Sequence, residues 1–109
     1  MGKKTYKLRY LPLFSEDLEE KLLYIAEKLR NPQAANELLD AVEKSIVERL
    51  PDAEKFEEYH SIKERVYPYY RIYVKNFVVY YVVISGEEGE VVMEVRRFLY
   101  AGQNREDII

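Results

Sequence analysis

From Tyr6 to Leu11 polar and apolar side chains alternate, and the alternation stops at Pro12. A period of two sends successive side chains to opposite faces, which predicts a strand. The period then changes. Leu18, Leu22, Ile25 and Leu29 recur at the spacing of one helical face. Ser15 is the expected N-cap of this helix, with Glu16 and Asp17 in the first turn, where the helix dipole favours anions. Glu19, Glu20, Glu27 and Lys28 fill its polar side. Asn31-Pro32 ends it and opens a second helix, Asn31 as cap and Pro32 at the first helical position. Ala35, Leu38, Leu39, Val42, Ile46 and Leu50 form the apolar face of that helix, and Pro51 stops it. Two amphipathic helices joined by so short a connection predict an antiparallel hairpin of helices.

From Asp52 to Pro68 the chain is charged and irregular, which predicts a loop with at most a short turn of helix or strand. Three β-type runs follow. Ile72 and Val74 alternate with Tyr69, Arg71, Tyr73 and Lys75, and Lys75-Asn76 makes a turn. Phe77 to Ile84 is apolar on both faces, as in a central strand covered on each side. Ser85 to Glu90, with Gly86 and Gly89, is a hairpin loop, and Val91 to Leu99 is the last strand. The tail from Asn104 to Ile109 has the makings of a helical turn capped by Asn104. The order β-α-α-β-β-β, with a short C-terminal element, predicts an α+β domain. In it the helical hairpin packs on one face of a twisted antiparallel sheet.

Composition narrows the function. At 109 residues the chain is read as one domain, 1–109, large enough for a core without staples. It has no cysteine, hence no disulfide and no thiolate metal site, and its single histidine makes a metal centre improbable. No apolar run reaches the roughly 20 residues needed to span a bilayer, so no membrane partner is expected. The first residues have no continuous apolar stretch, so no signal peptide is expected either. The net charge of −3 argues against generic nucleic-acid binding. The acidic excess precedes His60, with 10 Lys and Arg against 13 Asp and Glu; from His60 onward there are 7 of each. The sheet half is therefore less hostile to phosphate than the total suggests.

The Tyr70-Arg71, Val74-Lys75-Asn76 and Tyr81 pattern, and the tail from Arg97-Phe98-Leu99-Tyr100 to Ile108-Ile109, are the most specific parts of the chain. With the element order, they resemble the RelE/ParE superfamily of type II toxin–antitoxin toxins, over nearly the whole length. The resemblance implies a small cytoplasmic toxin, without a cofactor, held in a hetero-oligomer by a cognate antitoxin, as in plasmid stabilization systems. One branch is the mRNA interferases, metal-independent endoribonucleases that cut messages on the ribosome. Translation inhibition by such ribosome-dependent mRNA cleavage is the first expectation; the alternatives are the ParE branch, which inhibits DNA gyrase and cuts nothing, and a degenerate toxin that only binds its antitoxin. The chain departs from the nuclease branch at Val78, where an arginine is usual, and at Gly102-Gln103, where many relatives carry two arginines.

RNA cleavage of this kind needs an activated 2′-hydroxyl, a clamp on the phosphate and a proton for the leaving oxygen. Arginine suits the clamp because its planar fork holds two oxygens at once. On the nuclease reading Arg71, Arg96, Arg97 and Tyr100 are the catalytic candidates. Tyr69, Tyr73, Lys75, Tyr80 and Arg105 would hold RNA by stacking and by charge. Alternation puts Arg71 with Tyr69 and Tyr73 opposite the helix-packed face, on a side expected to stand bare for a ligand. Without a bulge it puts Arg96 with Glu94 and Phe98, and Arg97 with Val95 and Met93. The bland alternative is that Arg71 and Arg96 pair across strands with Glu94 or a neighbouring acid. The tyrosines are then sheet formers and interface residues. His60 is either a loop residue or a general acid–base group. The acid clusters at 16–20 and 54–58 read as solvated faces.

Overall fold

Residues 4–59 and 66–102 are described by the structure, a computed structural model. Strand β1, Thr5–Tyr10, leads directly into helix α1, Pro12–Leu23. Helix α1 starts at Pro12, earlier than the Ser15 expected from capping chemistry. Proline's fixed φ suits the first helical position, and Leu11 precedes it in extended conformation with no side-chain cap. The Leu11 amide still donates to the Val95 carbonyl at 2.9 Å, so strand and helix join without slack.

The helix continues through a π-helical turn, Tyr24–Lys28. That turn widens the hydrogen-bond ring and shifts the phase of every later side chain. Leu18, Leu22 and Ile25 accordingly reach the core, while Leu29, placed on the same face by simple periodicity, is 56% exposed. Arg30, at φ 51°, makes the corner. Asn31 then caps α2, Pro32–Arg49, by accepting the Ala34 amide at 3.1 Å, and Pro32 takes the first position. Ala35, Leu38, Val42 and Ile46 are the buried stripe of α2. A 3₁₀ turn at Leu50–Asp52 ends it where Pro51 breaks the pattern.

Four more strands follow: β2, Glu58–Tyr59; β3, Tyr69–Val74; β4, Phe77–Ser85; and β5, Glu90–Tyr100. The sheet order is β1-β5-β4-β3-β2. The β2-β3-β4-β5 pairs are antiparallel, as expected, but β1 lies parallel to β5, with Arg9 opposite Glu94, so the sheet is mixed. A parallel pair needs a long crossover, and the helical hairpin supplies one. The fold class is the α+β one predicted, with the hairpin on the sheet.

The principal core lies between helices and sheet. Phe14, Leu38, Val42 and Ile46 pack there against Ile72, Val79, Tyr81, Met93, Val95 and Phe98. A second buried cluster occupies the other face of the sheet: Tyr69, Val78, Tyr80, Val82 and Leu99. The bare face expected for a ligand is therefore not bare, since Tyr80 and Val78 are 0% exposed and Tyr69 5%. The cause is β4 itself. It is apolar on both sides, and burying only one side would leave Val78, Val82 and Ile84 in water at a cost of roughly 1.5–3 kcal/mol each.

Candidate functional site

The geometry of the outer face turns on a β-bulge. Tyr80 pairs with Arg97 and Tyr81 with Val95, so Arg96 is the extra residue in β5. A bulge of this kind shifts the alternation by one position. Phe98 consequently joins Val95 and Met93 in the helix-side core, not Arg96 on the outer face. Arg97 stands opposite Tyr80 rather than on the side of Val95.

Glu94 is the hub of that face. It is only 5% exposed and accepts Nε of Arg9 and Nε of Arg96, each at 2.8 Å, on its two oxygens. Burial alone would raise the Glu94 pKa, but the hydrogen bonds and charges of Arg96 and Arg9 overcome it and hold the carboxyl below its ordinary value. Arg96 is affected in the complementary way. Burial disfavours its charge, yet hydrogen bonds with Tyr69 and Glu94 outweigh that and raise its pKa. Tyr69 meets Tyr80 edge-on at 6.0 Å between ring centroids. Arg71 is half-buried opposite Tyr80, with its guanidinium 5.8 Å from the Tyr73 ring centroid. Tyr73 is 59% exposed.

The structure thus gathers Arg71, Arg96, Tyr69, Tyr73 and Tyr80 on one face and adds Arg9, which the sequence reading missed. Arg9 sits at an outward position of β1, but only the parallel β1–β5 pairing brings it to Glu94. Arg97 also stands on this face, opposite Tyr80, but is held by α1, and the remaining candidates lie elsewhere. Arg97 gives Nε at 2.8 Å and Nη2 at 3.0 Å to the two carboxylate oxygens of Asp17 in α1. The Phe98 amide donates to the same carboxylate at 3.0 Å. Asp17 therefore stands in for β1 along the edge of β5, beyond the point where β1 turns into α1. Tyr100 is at the far end of β5, its ring 4.8 Å from that of Phe77 and 5.3 Å from the Lys21 ammonium. Lys75 is in the β3–β4 turn at φ 53°. Arg105 and His60 lie outside the described residues.

A second arginine shapes the sheet's other border. Arg49, at the end of α2, donates to the Tyr81 hydroxyl at 2.9 Å and the Arg71 carbonyl at 3.1 Å, with Phe56 stacked 3.4 Å from its guanidinium. Tyr81 in turn donates to the Ala53 carbonyl at 2.8 Å. These bonds pin the end of α2 to β3 and β4.

The Nε atoms of Arg96 and Arg97 are used by the chain's own carboxylates, and Tyr80 is enclosed. Arg9, likewise paired with Glu94, has a side chain 54% exposed, and Tyr73 is 59% exposed. Among the described residues no group of three or more His, Asp or Glu could hold a metal ion, and no helix is long and apolar enough to cross a membrane.

Comparison with known proteins adds one finding. No curated protein sequence matches this chain. Residues 8–105 match the family described as ParE toxin of type II toxin-antitoxin system, parDE, a span running from β1 through the helical hairpin and the whole meander. The match covers well over half of the chain, and the chain belongs to the ParE toxin family.

Proposed function

We propose that this type II toxin acts by binding DNA gyrase through the outer face of its sheet, without cutting RNA. Membership of the family makes it a toxin paired with an antitoxin. The choice of target rests on one observation. Arg96 and Arg97, the tail arginines that a nuclease would need as phosphate clamps, each donate Nε to a carboxylate of the same chain. Arg97, engaged through Nε and Nη2, must break a charge-assisted bond before that side of its fork can close on a phosphate, and the charge of Arg96 is already matched by Glu94. Tyr100 supports the same reading, since its phenol sits at the Lys21 end of β5, apart from Arg71 and Arg96.

Binding to a protein surface asks less of these residues. A rigid sheet face edged by Arg9, Arg71 and Tyr73 offers aromatic and guanidinium anchors of the kind enriched at interface hot spots. The deciding experiment pairs two assays on toxin freed from its antitoxin. Inhibition of supercoiling by purified gyrase is expected, with DNA damage induction in cells and translated messages intact by primer extension. Codon-phased cuts in those messages would refute the proposal. Normal growth without antitoxin would refute it as well, by removing toxicity altogether.

A further inference from the structure

We infer that Arg49 is a positioning residue for the outer face: from the end of α2 it holds Arg71 where a target can meet it. The inference rests on the reading that this face binds the target, and it adds a residue that acts through Arg71 rather than by contact.

Strand β2 pairs Glu58 with Tyr70 and Tyr59 with Tyr69, and these two pairs are its whole contact with β3. Arg71 is the next residue of β3. On one side it faces Tyr80 of β4; on the other, Arg49 takes the place that a longer β2 would fill. One nitrogen of that guanidinium, Nη1, donates both to the Arg71 carbonyl at 3.1 Å and to the Tyr81 hydroxyl at 2.9 Å. Phe56 stacks 3.4 Å from the guanidinium, and the fully buried Tyr81 donates in turn to the Ala53 carbonyl at 2.8 Å. A cleft of about 250 Å³, lined by Ser45, Glu48, Arg49, Asp52, Phe56 and Ile72, runs along the same border. The border there is a groove rather than a packed seam, and Arg49 ties α2 to β3 across it.

A stretch of strand without a ladder partner opens locally at little cost. The side chain of Arg71 leaves the backbone at the residue whose carbonyl Arg49 holds. Its guanidinium lies 5.8 Å from the ring centroid of the exposed Tyr73. An arginine contributes most at an interface when its long side chain is in place before the partner arrives, because ordering it on arrival costs affinity. Arginine suits position 49 through its planar fork. It satisfies two acceptors and turns a flat face to Phe56, and a lysine ammonium has no such face.

The test measures gyrase affinity and Tm on the full chain, with Arg49→Met made in the wild type and in Arg71→Ala. Arg49→Met should weaken binding about 10-fold where Arg71 is present and less than about 2-fold in Arg71→Ala, where no guanidinium is left to place. Equal losses in the two backgrounds overturn the inference, since Arg49 then touches the target itself or only stabilises the fold. Undiminished affinity overturns it as well. If Arg49→Met does not fold, Phe56→Leu, a change at a ring 48% exposed, loosens the same guanidinium and is judged by the same comparison. The free toxin gives a readout independent of the target. The Arg71 Nε–H resonance should shift and gain motion in either variant, and an unchanged resonance overturns the inference. A wild-type chain that does not bind gyrase refutes the target reading above, and the resonance then decides on Arg49 alone.

Discussion

Replacing Asp17 tests whether one carboxylate does the work of a missing strand. Its two oxygens take three donors, Arg97 Nε at 2.8 Å, Arg97 Nη2 at 3.0 Å and the Phe98 amide at 3.0 Å. Both side chains are largely withdrawn from solvent, 12% exposed for Asp17 and 18% for Arg97. Asp17→Ala therefore leaves a guanidinium unpaired and a strand amide without an acceptor. Removing one partner of a buried charged pair costs about 3 kcal/mol, toward the low end here because some solvent reaches the pair. For a chain of this size that lowers Tm by roughly 12 °C. Asp17→Asn keeps one acceptor oxygen and should lose about half as much. Arg97→Met should destabilise comparably, and the double variant should fall short of the sum by about 1.5–2 kcal/mol. The assay is thermal unfolding by circular dichroism of the four proteins in a double-mutant cycle. A coupling near zero, or a loss below about 1 kcal/mol in Asp17→Ala, would refute the claim that Asp17 caps β5. A fully folded Arg97→Met chain that has lost all toxicity would return Arg97 to the functional surface.

Three other outcomes are expected. The folded-state pKa of Glu94 is lowered, so its contribution to stability is complete above the unfolded value of about 4.3 and is lost as pH falls from there through the folded value. The Tm gap between wild type and Glu94→Gln should accordingly be widest near neutrality and close in the acid range; a gap independent of pH would contradict the ion-pair hub. Asn31→Ala should cost about 1 kcal/mol in urea unfolding, because the Ala34 amide loses its cap; an unchanged midpoint would mean the cap is idle. Arg71→Ala should relieve toxicity in an induced culture while antitoxin still co-purifies; undiminished toxicity would remove Arg71 from the target-binding face.

Most of the architecture was legible because it follows from local periodicity and cap chemistry. Asn31-Pro32 announced the second helix, and the buried stripe of α2 was predicted residue by residue apart from the half-buried Leu39 and Leu50. What escaped depends on geometry that one residue changes. The π turn at Tyr24–Lys28 alters the phase of α1 without any residue type to mark it, so Leu29 reads as core and lies 56% exposed. Proline at the first helical position outcompeted the better-known capping signal at Ser15, because its φ is already that of a helix.

The candidate face was less legible for the same reason, with larger consequences. One extra residue at Arg96 exchanges the sides of everything beyond it in β5, so Phe98 enters the core and Arg97 comes opposite Tyr80. Bulges carry no composition signature in a run such as Val95-Arg96-Arg97-Phe98, and only the pairing register reveals one. The apolar content of β4 pointed the other way from the bare-face expectation. A strand apolar on both sides requires cover on both sides, and Phe77 to Val82 are all buried. The balance of charge on that face follows from the same cover. Once Tyr80 and Tyr69 are enclosed, an arginine beside them is tolerable only with its anion close by, and Glu94 meets Arg96 from two residues away and Arg9 from across the strand. Burial of the tyrosines and neutralisation of the arginines are thus one structural fact, and the proposal of a protein target for the outer face rests on it.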